Sequence, residues 1–484
     1  MVNRLIFLLA FLATVFVSCS NPHHSSKNLD KVISCDLDSI RKRGKLIAVT
    51  DFNSTDYFIY KGEPMGFNYD LLKSFSDNIG VDLEIIIENH PEKALRMLNT
   101  GEADLLANNL TVSSSGEKDV RYTTPLGETR QVLVQRKPRN WSSMSTEALE
   151  KILIRTQPQL ARKTIYVQAG SSHAEQLISH AKEMGDSINI IEVPFESEKL
   201  IQNVANGDID YTVCNENLAQ VNATYYPNID VSTPVSFSQN IAWALRKNNS
   251  DALLSELNQW IMTFKETGSY ALLYAKYFRN PRSISIVRSD FYTLNTGKVS
   301  PYDDLIRKFS ATINWDWRLL ASLICQESHF NQNVESYSGA FGLMQIMPET
   351  GKNFGIDITS SVENNLKAGI CYINWLHSIF NPRIPDIKDR ISFILAAYNA
   401  GPGPVLDAMK LAERNGMNPL KWDGSVALWL LNKPASPYDN DIVARNGYCR
   451  GVESVNFVNQ VLARFEHYKN IIPEQKNHPF DNEP

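Results

Sequence analysis

WDWRLLASLICQESHFNQNVESYSGAFGLMQIMP, residues 315–348, is the stretch from which the second half of the chain is read. Its first half has the pattern of a helix. Asn314 is positioned to cap the N-terminus, Asp316 suits the positive end of the helix dipole, and no Gly or Pro interrupts before Asn331. Leu320, Leu323 and Ile324 fall on one face, and Glu327 lies four and three residues beyond the last two. A carboxyl group near the middle of an apolar stripe is poorly solvated, so it is expected to keep its proton near neutrality, as a general acid requires. Helix position alone also admits a helix-end Glu that reaches solvent or pairs with an Arg.

The residues that follow favour a site. Ser336, Gly339-Ala340 and then Gly342-Leu343-Met344-Gln345 make a tight loop that leads into a short apolar segment ending at Pro348. Small residues let backbone approach a ligand closely, and Ser336 and Gln345 add neutral donors and acceptors. Far downstream, Ala396-Ala397-Tyr398-Asn399-Ala400-Gly401 closes an apolar helix in the same way.

Glu327-Ser328, Gly-Leu-Met-Gln at 342–345 and Ala-Tyr-Asn at 397–399, in this order and spacing, resemble the soluble lytic transglycosylase catalytic domain. The resemblance runs over residues 302–470 and implies a mainly α, lysozyme-like fold that cleaves peptidoglycan glycan strands. It implies Glu327 as the catalytic acid/base, with Ser336, Gln345, Met347, Tyr398 and Asn399 lining the sugar cleft. Glu453, in GVESVNFV, matches the Glu of a late family segment, from which Ser454 and Phe457 depart. The reaction implied breaks the bond between N-acetylmuramic acid and N-acetylglucosamine without water and leaves 1,6-anhydro ends. A true muramidase, or a wall-fragment sensor with an inactive lysozyme-like half, would carry the same motifs. No metal or organic cofactor is implied.

Composition sets the frame around this stretch. The chain has 484 residues, enough for two or three domains, with 43% hydrophobic and 21% charged residues and a net charge of -5. That mild acidity, without a basic stripe carrying interleaved aromatics, argues against a nucleic-acid partner.

Residues 1–19 have the form of a targeting segment: Arg4, then the run LIFLLAFLATVFV, then Ser18-Cys19. The ending FVSC resembles a bacterial lipoprotein box and implies acylation of Cys19. Ser20 at the next position points to the outer membrane, with the protein facing the periplasm. Residues 20–38 are expected to be a tether. The other five cysteines, Cys35, Cys214, Cys325, Cys371 and Cys449, are scattered without CxxC spacing, so neither zinc nor a disulfide framework is indicated.

From 39 to 278 short apolar strands alternate with helices. Strands are expected at 45–50, 83–87, 104–107, 132–135, 164–168, 188–193 and 211–214, with helices at 69–78, 92–98, 174–182 and 198–206. Alternation of this kind means α/β layers, and two successive blocks mean two lobes. The segments GEPMGFNYDLLKSFSDNIG, GEADLLANNLT and NGDIDYTVCNEN are similar to the periplasmic solute-binding protein family that handles polar amino acids. That similarity implies a ligand cleft near Asp51, Phe52, Tyr57, Asn109, Thr111, Ser171, Ser172 and Asn215. Gly116 or Lys118 stands where the family has a carboxylate-binding Arg, and Asn215 where it has an Asp. A muropeptide, or no ligand at all, then fits better than a free amino acid. Residues 279–301 are expected to link the two units, with SISIV at 283–287 as a closing strand, and 471–484 to form a polar tail. The whole is a multidomain chain: an α/β two-lobed periplasmic-binding-protein-like domain followed by a mainly α lysozyme-like domain.

Overall fold

The computed structural model describes residues 36–113, 116–184, 187–279, 283–432, 446 and 449–473. Cys19, Cys35, most of the tether and the tail beyond 473 lie outside the described residues.

The front half is two α/β lobes. In the first, β1 (Lys45–Thr50), β4 (Asp82–Ile87) and β5 (Leu105–Thr111) run parallel, and β13 (Gln239–Arg246) returns antiparallel between β5 and β6 (Val120–Tyr122). β7 (Gly127–Thr129) also pairs with β13. In the second lobe the order is β10 (Asn189–Val193), β9 (Thr164–Gln168), β11 (Tyr211–Asn215), β8 (Gln131–Arg136), β12 (Ile229–Pro234). The chain therefore crosses between lobes twice, at 129–131 and at 234–239. Leu46, Ala48, Leu105 and Ala107 are buried in one layer of the first lobe, and Val49, Leu106 and Ala244 in the other, so both faces of this sheet are covered.

All the expected strands and helices of this half are present, with ends shifted by a few residues at most. The strands β2 (Phe58–Tyr60), β3 (Glu63–Met65), β6, β7, β12 and β13, and the helices Asp251–Glu266 and Ser269–Phe278, are additional. SISIV is not a strand: Ser283–Val287 is helical. The 279–301 stretch also holds the short helix Thr293–Thr296. Tyr292 is buried against Phe58, and Thr293 donates to the Ile59 carbonyl at 3.0 Å.

The second half is helical. Asp303–Ala311, Trp317–Ser328, Val362–Phe380, Ile387–Ala400, Pro402–Arg414 and Gly451–Ile471 enclose one core that includes Leu320, Leu323, Ile324, Met344, Leu366, Phe393 and Val458. The β2–β3 hairpin lies in the front half by sequence and forms its own two-stranded sheet, yet Ile59 is buried in this helical core. Gly62 at its tip has φ +80, and a Cβ there would lie 2.6 Å from Cys325 Sγ, 2.7 Å from the Phe330 ring and 2.8 Å from the Tyr468 hydroxyl. Only glycine allows the two halves to meet this closely. Among the described residues no helix is long and apolar enough to cross a membrane.

Candidate active site

The helix bearing Glu327 begins two residues beyond the expected cap. Asp316, not Asn314, is the N-cap, its side chain accepting from the Arg318 backbone N–H at 2.9 Å. Asn314 instead sits at φ 54, in the left-handed turn just before it. The helix stops at Ser328 because His329 (φ 47) and Phe330 (φ 59) are both left-handed without being glycine. Two such residues in succession are strained backbone, the kind that persists where a site requires a fixed geometry. The Ser328 hydroxyl donates to the Leu343 carbonyl at 2.8 Å and ties the helix end to the Gly-Leu-Met-Gln loop.

That loop is built on buried contacts. Gly342 has φ +81, and a Cβ on it would meet the Asn365 amide at 2.3 Å. Asn365 accepts from the Met344 N–H at 3.0 Å and donates to the Phe341 carbonyl at 2.9 Å. Tyr398 donates to the Met344 carbonyl at 2.7 Å. The motifs that are far apart in sequence thus meet at one spot beside Glu327. Burial pushes the Glu327 carboxyl up to about 8, and the Tyr398 hydroxyl is raised first by burial and then by the charge of Glu327 itself. At neutral pH Glu327 is a protonated acid, which is the state the sequence pattern predicted.

The other expected cleft residues divide. Gln345, left-handed at φ 47, donates its side-chain amide to the Val334 and Gly342 carbonyls at 3.1 and 3.0 Å, so it shapes the loop. The Ser336 hydroxyl accepts from the Ala340 N–H at 2.9 Å and closes the neighbouring turn. Met347 is exposed, directly before the helix Pro348–Asn353. Asn399 accepts from the Ser454 hydroxyl at 2.8 Å, which joins the last helix to the Ala-Tyr-Asn turn. Glu453 is exposed and bonded to Arg450 at 2.9 Å, so Ser454 rather than Glu453 makes that inward contact.

The front half holds a second site, a cavity of about 240 Å³ between the lobes. Asp51, Asn109, Thr111, Ser171, Ser172 and Asn215 line it as expected. Tyr57 does not: it is fully buried and shares a hydrogen bond of 2.8 Å with His467 of the last helix. The lobes are closed on each other. Thr111 and Ser172 hydroxyls lie 3.3 Å apart, Asn215 donates to the Asn109 carbonyl at 3.3 Å, and Glu198 accepts from the Ser54 N–H at 2.8 Å. Charge is not lost from this cleft, as the Asn215 and Gly116 positions suggested. Four carboxyl groups, Asp51, Asp56, Glu196 and Glu198, share the cavity. Burial raises all four, Asp56 to about 7, and Asp51 is lifted further by Asp56 and Glu196.

The comparisons with known proteins agree with this division. Residues 46–280 match the model of bacterial extracellular solute-binding proteins, family 3, and 304–420 match that of the transglycosylase SLT domain. A protein of Desulfosudis oleivorans called membrane-bound lytic murein transglycosylase F is 30% identical over 438 residues, 90% of this chain and 92% of that one. The chain belongs to the membrane-bound lytic murein transglycosylase F family. A relative of the same name from Idiomarina loihiensis is 28% identical over 89% of this chain and 91% of its own. An ancestral arginine-binding protein solved with arginine is 24% identical and covers 49% of this chain and 99% of that one, at a TM-score of 0.42.

Two aromatic residues of this family member went unread in its sequence. Tyr372 lies 5.3 Å from the Tyr398 ring, and Trp375, exposed, stacks on Tyr372 at 5.6 Å with 19° between the planes. The signal was present in CYINWLH: two aromatics three residues apart, on one face of the helix Val362–Phe380. Together with Tyr398 they form a run of three contacting rings that ends in the exposed Trp375.

Proposed function

We propose that Glu327 performs both proton transfers of a non-hydrolytic cleavage of murein. As the acid it protonates the glycosidic oxygen leaving from N-acetylmuramic acid, while the muramoyl N-acetyl group takes up the positive charge at the anomeric carbon. As the base it then removes the proton of the C6 hydroxyl of the same sugar, which closes the 1,6-anhydro ring and regenerates the acid. One carboxyl suffices, an exception to the two-carboxylate scheme of most glycoside cleavage. The observation carrying this reading is the Glu327 carboxyl held protonated to about 8 beside Tyr398, within a chain of this family. Ser336, Gln345, Met347, Tyr398 and Asn399 are taken as the glycan cleft, with Glu453 at its rim. Mass spectrometry of digested sacculi tests the reaction: anhydro ends support it, reducing ends would make the enzyme a hydrolase, and undigested sacculi would leave the catalytic half inert.

The front cleft is read as the seat of a muropeptide that regulates the enzyme. Its four carboxyl groups suit a ligand bearing ammonium groups, which wall peptides supply, and its closed lobes suit a ligand that is swallowed whole. Calorimetry of the full chain with amino acids and purified muropeptides decides the ligand. Anchorage is assigned to acylation of Cys19, at the outer membrane and facing the periplasm; a single lipoprotein Cys carries the several chains that stable anchoring needs. Cys19→Ala should release the protein from membranes, and unchanged sedimentation after a salt wash would contradict the anchor.

A further inference from the structure

Outside both sites, three potential metal ligands from the two halves of the chain converge where the hairpin meets the Glu327 helix. Glu63 follows the hairpin tip, Cys325 lies in the last turn of the Glu327 helix, and His329 is the left-handed residue that ends that helix, four positions on. Cys325 Sγ is 3.6 Å from Glu63 Oε1 and 3.9 Å from His329 Nδ1, and those two atoms are 3.6 Å apart. It is the one such cluster among the described residues. We propose that Glu63, Cys325 and His329 form a binding site for a divalent transition-metal ion of the zinc class, which locks the front hairpin to the catalytic helix.

The spacing is that of ligands already gathered around an ion. A point equidistant from the three atoms lies about 2.1 Å from each in their plane, and about 2.3 Å from each when raised ~0.8 Å above it, against usual zinc distances of about 2.0–2.3 Å. No side chain has to move to reach them. A thiolate, an imidazole and a carboxylate select zinc, cobalt or nickel over calcium and magnesium, which prefer oxygen alone. Cys325 is buried, Glu63 half-buried and His329 exposed, so the site has a closed floor and one side open to water, which supplies the fourth ligand and the way in. Binding displaces the thiol proton of Cys325 to solvent.

Arg464 is the cation that stands closest. It donates to Glu63 Oε1 at 2.8 Å and to Gln326 Oε1 at 3.1 Å. An outer donor of this kind orients a ligating carboxylate, as groups behind metal ligands commonly do. Its positive charge also limits affinity, so the site is expected to take a metal reversibly and not to hold it permanently.

The consequence is mechanical. Cys325 lies two residues before Glu327, and Glu63 lies on the hairpin that leaves the cleft residues Thr55 and Asp56 by way of Tyr57. A metal there would stiffen the hairpin that runs from the cleft to the catalytic helix.

Zinc(II) competition against a chromophoric chelator, with cobalt(II) spectra on the full-length protein, tests the site. Wild type should take one equivalent, and cobalt should give a thiolate charge-transfer band in the near ultraviolet. Cys325→Ser should abolish the band. Glu63→Gln and His329→Asn should each weaken zinc binding at least tenfold; asparagine keeps the left-handed turn at 329, and circular dichroism of the apoproteins should be unchanged. Absence of the thiolate band would overturn the proposal. So would an affinity in Glu63→Gln equal to wild type, because the metal would then not reach the hairpin.

Discussion

Tyr57 and His467 share a hydrogen bond of 2.8 Å across 410 positions of sequence, joining the segment between the front cleft and β2 to the last helix of the catalytic half. Burial, helped by the nearby Arg464, lowers His467 to about 4, so the ring is neutral at physiological pH and free of any charge cost at this junction. Beside it Arg464 bonds to Glu63, Tyr468 donates to the Gly62 carbonyl at 2.8 Å, and Asn470 donates to the Ile85 carbonyl of β4. The final helix is the strap between the halves.

Tyr57→Phe removes this bond and leaves the buried His467 without it. A net loss of about 1–2 kcal/mol is expected, read as a lower midpoint in urea with an unchanged slope. A midpoint equal to wild type would mean the contact carries no stability.

Gly62→Ala is expected to cost more. The added methyl meets Cys325, Phe330 and Tyr468 at under 3 Å, in a backbone conformation that disfavours side chains. Strain and overpacking together amount to about 2–4 kcal/mol. Thermal unfolding and protease cutting within 279–301 measure it, and a variant as stable and as resistant as wild type would show that the hairpin is not wedged there.

Trp375→Ala tests the aromatic surface beside Tyr398. Its ring is partly exposed, so little stability is at stake, but about 1 kcal/mol of sugar stacking should be lost. KM for soluble glycan strands should rise about fivefold while kcat holds, the pattern of an interaction made equally before and during reaction. An unchanged KM would exclude Trp375 from the cleft.

The pH profile follows from Glu327. Its carboxyl is raised by burial to about 8, so the acid form is present below that value and is lost above it. The rate should fall on an alkaline limb with its midpoint near pH 8, about tenfold per unit beyond it. The sign for stability is the reverse of that for a paired carboxylate. A group raised in the folded state costs stability as pH climbs from about 4.5 towards 8, so Glu327→Gln should stabilise the protein at pH 7 by about 1–3 kcal/mol. A limb near pH 5, or a less stable variant, would contradict the buried acid.

Much of this was legible in the residues. Helical periodicity put the Glu327 carboxyl in an apolar stripe but left a helix-end Glu equally open, and the roles of Glu327 and Tyr398 rest on the resemblance of their motifs to the lytic transglycosylase domain. The helix start was misjudged by two residues because Asn314 and Asp316 are both good caps, and only the Arg318 N–H contact chooses between them. The resemblance to solute-binding proteins puts Tyr57 at the cleft, but in this chain its ring is buried against the last helix, where His467 meets its hydroxyl, a contact that no local pattern reveals. Glu196 and Glu198 were missed because the second lobe has to close before they reach Asp51 and Asp56. The β2–β3 hairpin was missed because three-residue strands carry no periodicity, and its partners lie more than 260 positions away.

The central claim is that one acid, Glu327, drives a cleavage that excludes water. The most direct measurement is mass spectrometry of sacculi digested by wild type and by Glu327→Gln. Gln fills the same space without a transferable proton, and general acid–base help alone is worth about 10²–10⁴-fold. Wild type should release 1,6-anhydro-muramoyl ends, and the folded variant should be slower by at least that factor. Turnover by Glu327→Gln within about tenfold of wild type, or reducing ends in place of anhydro ends, would contradict the account.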